Sequence, residues 1–228
     1  MPKVAVVIPA HNAARTLGEL ISSVSRQVPP ENIFVVDDGS TDETELIARD
    51  LGVWLLKHSR RKGKGVALRD GAMKALELNS ELIITMDSDL QHDPAEIPVF
   101  LEAAARFDLV IGKRSISTKD MPVHRFLSNS LTSRILSSRT GANIEDSQCG
   151  YRLYKSDVLR KVDSACRHFD YESDMLLKAV LAGYRVGFIP IKTIYNESVS
   201  YIRVIDILRF IRVYLKSFPI LNGKIRTA

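Results

Sequence analysis

Leu82-Ile83-Ile84-Thr85-Met86-Asp87-Ser88-Asp89-Leu90-Gln91 is the stretch on which the fold turns, because an apolar run stops abruptly at acids. A run this short is a strand rather than a helix, and its continuous apolar character fits burial on both faces. In an extended continuation side chains alternate, so Asp87, Asp89 and Gln91 are expected to point one way and Ser88 the other. Three oxygen donors would then converge. Mg2+ and Mn2+ take carboxylate, amide and phosphate oxygens, and such a cation stabilises the charge that develops on a departing diphosphate. An acid-x-acid triplet is common in surface turns; its position after a buried strand is what points to chemistry.

Outward from this run the pattern repeats. Residues 3–9, 32–37, 53–58 and 108–112 are also short, β-rich and bounded by Pro, Asp, Gly or Ser. Helical patterns lie between them at 16–27, 40–50, 65–78 and 94–106. Ser40 followed by Glu43 reads as a capping box, and Asp93 before Pro94 as an N-cap. Strands alternating with helices predict βαβ units, hence an α/β fold with one mostly parallel sheet covered by helices. The second half predicts a helix at 123–138, a strand at 151–155, a helix at 171–181, a strand at 185–191 and a last helix at 203–216. Trp54, the only tryptophan, is expected in the core. No linker or repeat divides the 228 residues, so the later part is expected to pack at the sheet's carboxyl edge, where α/β folds bind ligands.

Composition narrows the possibilities. Forty-five per cent apolar residues describe a globular chain, and no run approaches the ~18 apolar residues of a membrane span. The start does not resemble a secretory signal, so a cytoplasmic protein is expected. Cys149 and Cys166 sit in no CxxC pair, which argues against a disulfide framework or structural zinc. The net charge of +5 is concentrated in residues 57–65 and in 199–228, where six Lys or Arg face one Asp. Such patches attract phosphate-rich partners. The basic loop lacks interleaved aromatics and no finger, RRM or helix-turn-helix pattern occurs, so nucleic acid is not expected.

The first βα turn, Ile8-Pro9-Ala10-His11-Asn12, has none of the GxGxxG glycines, and no GxxxxGK[ST] occurs, which disfavours a dinucleotide-binding dehydrogenase or a P-loop NTPase. It also lacks the glycine-rich, Arg-bearing loop expected of a sugar-1-phosphate nucleotidyltransferase. Strand 32–37 ends in Asp37-Asp38-Gly39-Ser40. With Ser40 read as the cap, Asp37 is left as a candidate nucleotide contact.

These ordered motifs, together with Gly63-Lys64-Gly65, Gly112-Lys113-Arg114 and Asp146-Ser147-Gln148-Cys149-Gly150-Tyr151-Arg152, resemble family 2 glycosyltransferases of the GT-A fold. The chain is similar to the dolichyl-phosphate mannosyltransferase branch, the polyprenyl-phosphate glycosyltransferases. The resemblance implies a single domain over 1–228: a nucleotide-sugar half at 1–115, an acceptor-side half at 116–200 and a basic amphipathic helix and tail at 201–228. It implies that Pro9, Asn12, Asp37 and Lys64 lie at the nucleotide, with Asp87, Ser88 and Asp89 on the nucleotide sugar. Asp87, Asp89 and Gln91 would serve Mn2+ or Mg2+, Arg114 and Arg125 would face phosphate, and Asp146 and Gln148 would lie beside the transferred sugar. His11-Asn12-Ala13 departs from the Asn-Glu pair of many relatives, so an acidic contact is missing there. His92 is expected to pack or hydrogen-bond rather than bind metal.

The expected reaction is inverting displacement of a nucleoside diphosphate from a GDP-mannose or UDP-glucose type of donor. A polyprenyl phosphate acceptor is already ionised and needs no strong base; a hydroxyl acceptor would need one, with Asp146, Glu172 and Asp174 as candidates. A nucleotide-sugar-binding module without turnover is the alternative outside enzymes. Val204, Leu208, Ile211 and Leu215 form an apolar stripe beside Arg209, Arg212 and Lys216. A helix of that kind either packs its stripe on the domain or lies on an anionic membrane, the second giving a peripheral location on the inner face of the cytoplasmic membrane.

Overall fold

The computed structural model describes residues 2–114, 123–168 and 170–192, with the side chains of 123–128 outside the description. Seven strands form one sheet: β1 (Val4–Ala10), β2 (Ile33–Asp37), β3 (Trp54–Lys57), β4 (Leu82–Thr85), β5 (Leu109–Arg114), β6 (Arg152–Lys155) and β7 (Val186–Ile191). Their order is β3-β2-β1-β4-β6-β5-β7. All neighbours are parallel except β6, which runs antiparallel between β4 and β5. The α/β, mostly parallel sheet expected from the sequence is thus observed. β1, β2 and β4 are buried almost throughout, which explains their unbroken apolar runs.

The reversal of β6 positions the site. Parallel strands bring their carboxyl ends to one edge, while an antiparallel neighbour brings its amino end there. Thr85 at the end of β4 pairs with Arg152 at the start of β6, and Ile111 of β5 pairs with the same Arg152. The Asp146–Tyr151 loop therefore arrives beside the Asp87–Gln91 turn.

Helices α1 (Ala14–Val24), α2 (Thr44–Asp50), α3 (Lys64–Glu77), α4 (Ile97–Ala103), α5 (Val123–Thr140), α6 (Ser156–Lys161) and α7 (Tyr171–Leu181) complete the fold. α1 buries Leu17, Leu20, Ile21 and Val24, the stripe that its spacing predicts. Asp93 caps as expected, accepting from the Ala95 amide at 2.9 Å, although a 3-10 turn at Pro94–Glu96 precedes α4. The Ser40 capping box does not form. α2 begins at Thr44, and Asp42 takes the capping duty by accepting from the Thr44 amide at 3.1 Å and, across the loop, from the Ala14 amide at 3.0 Å. Trp54 is also not core: edge strand β3 leaves it 41% exposed, stacked on Phe34 with Lys74 over its ring. The helix expected at 203–216 lies outside the described residues. Among those described, no helix is long and apolar enough to cross a membrane.

Candidate functional site

The carboxyl ends of β1, β2, β4 and β5 surround one edge of the sheet. After β1 the chain turns through Asn12, whose φ of 52° is a conformation asparagine tolerates better than most residues. Its side-chain oxygen accepts from the Thr41 amide at 2.9 Å, and its own amide donates to Ser40 Oγ at 2.9 Å. The β1 and β2 turns are thereby joined. Thr16 donates to the Ser88 carbonyl at 2.6 Å, joining α1 to the acidic turn.

The two acids ending β2 divide their work. Asp37 is wholly buried; Oδ1 accepts from the Ser40 amide at 2.8 Å, whereas Oδ2 has no hydrogen-bond partner. Asp38 is saturated. It accepts from the Lys62 amide at 2.7 Å and the Gly63 amide at 2.8 Å, and pairs with His58 Nδ1 at 2.8 Å. Burial opposes the charge of Asp38, but His58 and the two amides outweigh it and hold the carboxyl below its ordinary range. Asp38 therefore fixes the basic loop that leads into Lys64, a duty no motif in the sequence disclosed.

Lys64 opens α3 and reaches into the centre. Its Nζ lies 2.6 Å from Asp87 Oδ1 and 2.7 Å from Glu172 Oε1. Burial opposes its charge, yet the two carboxylates raise its pKa, so it stays an ammonium. Gly63 and Gly65 make this reach possible, because a Cβ at Gly63 would meet the Arg167 carbonyl at 2.3 Å and one at Gly65 would meet that of Cys166 at 2.8 Å.

The segment after β4 is a turn, not an extended strand, and Leu90 has φ 61°. The expected alternation of Asp87, Asp89 and Gln91 is thus corrected: a left-handed residue breaks the period-two pattern. The Gln91 backbone N–H donates to Asp89 Oδ1 at 3.1 Å. Asp87 is lowered because Lys64 outweighs the effect of burial, while Asp89 is raised by burial and by the charge of Asp87. Gly150 sits flush against Asp87, and a Cβ there would meet Oδ2 at 2.6 Å. His92 is buried against Tyr151, and burial brings its pKa down to about 4, so it packs as a neutral ring.

At the end of β5 Arg114 clasps Asp146 with two hydrogen bonds, Nε to Oδ2 at 2.8 Å and Nη2 to Oδ1 at 3.0 Å. The amides of Gln148 and Cys149 donate to the same carboxylate. Burial opposes its charge; Arg114 and these amides prevail and keep Asp146 well below the usual carboxylate range. Arg152, fully buried, donates to the carbonyls of Cys149, Ser147 and Glu172, tying this loop to α7.

Whether this site suits a divalent cation is decided by charge and donor type. Among the described residues no three or more His, Cys, Asp or Glu side chains are arranged to enclose a metal ion. Asp87 and Asp89 nevertheless offer hard oxygen donors close enough for one charge to raise the other, and Lys64 must answer both Asp87 and Glu172. That is an anionic pair with unmet charge, suited to a cation whose remaining ligands come from a diphosphate.

A model of the family described as "Glycosyl transferase family 2" matches residues 5–163. The chain belongs to that family. An undecaprenyl-phosphate mannosyltransferase of Micrococcus luteus is 31% identical over 86% of this chain and 85% of its own length. A UDP-N-acetylglucosamine–dolichyl-phosphate N-acetylglucosaminyltransferase of Methanococcus voltae is 28% identical over 96% of both. Among solved structures, glucosyl-3-phosphoglycerate synthase of Mycobacterium tuberculosis with bound UDP matches at TM-score 0.74 and 19% identity, over 94% of this chain and 79% of that one. That likeness shows the GT-A fold.

Within this family 2 glycosyltransferase the fold brings Lys64, Asp87, Asp89 and Gln91 to one edge with Arg114, Asp146 and Gln148. Pro9 and Asp37 lie on adjacent strands there, with Ala10 registered to Asp37. Arg125 falls in the first turn of α5, its side chain outside the description. Asp38, Asp42 and Arg152 were not singled out from sequence; their partners lie 2 to 28 positions away, in patterns no local motif encodes.

Proposed function

We propose that this protein transfers a hexose, with inversion, from a GDP-mannose or UDP-glucose type of donor to a polyprenyl phosphate, with Mn2+ or Mg2+ at Asp87 and Asp89. One observation carries the choice of acceptor. Each of the three carboxylates named as candidate bases for a hydroxyl acceptor is already ion-paired: Asp146 by Arg114 at 2.8 Å, Glu172 by Lys64 at 2.7 Å and Asp174 by Lys178 at 2.9 Å. A base working near neutrality needs a pKa near the working pH, and Asp146 is displaced the other way. A phosphate acceptor is itself the ionised nucleophile, so the site needs to orient it and need not deprotonate it.

Asp89, with Asp87 beside it, would hold the cation, which when bound supplies positive charge to the departing diphosphate. Lys64 is a second positive charge next to that position. Asp37, with a buried oxygen lacking a partner at the end of β2, is the group we assign to the nucleoside. Arg114, Arg125 and Gln148 are assigned to the acceptor and sugar side, Arg114 braced by Asp146. The family relatives named for undecaprenyl and dolichyl phosphate support a lipid acceptor, and the basic 199–228 segment supports work at an anionic membrane surface.

The test offers GDP-mannose and UDP-glucose, with Mn2+, to the protein together with either a detergent-dispersed polyprenyl phosphate or soluble hydroxyl acceptors. We expect sugar to enter the lipid phase from one donor and co-sedimentation with anionic liposomes. Transfer to hydroxyls alone, or nucleotide binding with no turnover, would overturn the proposal.

A further inference from the structure

Glu172 is a charged group that neither the donor nor the acceptor assignment uses. It lies in the first turn of α7, is 3% exposed, and its Oε2 has no hydrogen-bond partner. A carboxylate so far removed from water is costly unless a cation answers it. Lys64 does so from 2.7 Å while standing 2.6 Å from Asp87 Oδ1, so one ammonium is shared between two carboxylates. The sharing is held rigidly. The Lys64 backbone is wedged between Gly63 and Gly65 against the 166–168 segment, and the Glu172 carbonyl is gripped by Arg152 at 2.6 Å.

The consequence concerns Asp87. An ammonium this close competes with a divalent cation for the same oxygen, and Glu172 on its other side offers it a second counter-ion. We propose that Glu172 is a positioning residue that tunes divalent-cation binding by holding Lys64 as its counter-ion when a cation takes its place on Asp87. This proposal rests on the metal assignment above. It couples α7, in the acceptor-side half, to the donor site through a single lysine.

The experiment is a titration with Mn2+ in the presence of saturating GDP or UDP, read by loss of the free-ion magnetic resonance signal beyond that caused by the nucleotide alone, on wild type, Glu172→Gln, Lys64→Ala and the double variant. Glu172→Gln should raise the half-saturating Mn2+ concentration roughly three- to tenfold, the effect of removing one nearby negative charge. Lys64→Ala should lower it. In the Lys64→Ala background the Glu172 substitution should raise it by less than in the parent, because the part that passes through the lysine is gone; an effect undiminished there would be the direct field of Glu172 alone and would sink the proposal. Unchanged Mn2+ binding in Glu172→Gln with normal binding in wild type also overturns it while leaving the metal assignment standing. Failure of wild type to bind Mn2+ with either nucleotide overturns both. Should Glu172→Gln not fold, Lys64→Ala still decides, since failure to tighten Mn2+ binding contradicts the competition.

Discussion

Asp89 and Asp38 show how two carboxylates one strand apart can act oppositely on stability. Asp89 is raised by burial and by Asp87, so its charge above the folded pKa works against the folded state. Asp89→Asn should therefore raise the melting temperature of the metal-free protein near pH 7 while abolishing its stabilisation by Mn2+ with GDP or UDP; a lower metal-free melting temperature would contradict this. Asp38 is lowered in the fold, so its contribution is present above the unfolded carboxyl value of about 3.9 and lost as pH falls through the lower folded value. Asp38→Asn should cost about 1–3 kcal/mol near neutrality, and the gap from wild type should shrink below about pH 4. Urea unfolding at several pH values measures both ends of that window. Local reading at this scale found the acids but not their division of labour, because Asp37 and Asp38 differ only in which loop folds over them.

Secondary-structure elements were the most legible part of the chain. Each strand of the first half was evident from an apolar run bounded by Pro, Asp, Gly or Ser, and the boundaries of α1 to α5 and α7 lie within a few residues of their expectation, whereas the short α6 was not foreseen. The exceptions have a common cause. Ser40 and Glu43 have capping-box spacing, yet Ser40 is engaged by the Asn12 amide, and the helix starts only where Asp42 can serve Thr44 and Ala14 together. Trp54 looks like core by composition, but β3 is an edge strand, and edge position is a property of the sheet. Asp42→Ala should destabilise the protein by about 0.5–2 kcal/mol, a capping loss felt by α1 and α2 at once, measurable by denaturant unfolding. A neutral result would mean that water replaces the carboxylate at both helix starts.

At the scale of the molecule, Arg152 ties the 147–151 loop to α7. Its three carbonyl acceptors are Ser147, Cys149 and Glu172, and removing the guanidinium would leave all three without that donor inside the fold. Hydrogen bonds to a charged group contribute roughly 1.5–3 kcal/mol each, so Arg152→Met should cost at least about 3 kcal/mol in urea unfolding and weaken Mn2+ binding through displacement of α7. Loss of stability below about 1 kcal/mol would refute that role. The sequence by itself determined the α/β class, the acids at the strand ends and the family, since apolar period, turn residues and motif order are all local. Only the tertiary structure decided that β6 runs backwards, that Asp146 is clasped by Arg114 and that Lys64 is shared between Asp87 and Glu172. Those pairings join residues 23 to 108 positions apart, where charge balance in a buried space, not local pattern, selects the partner.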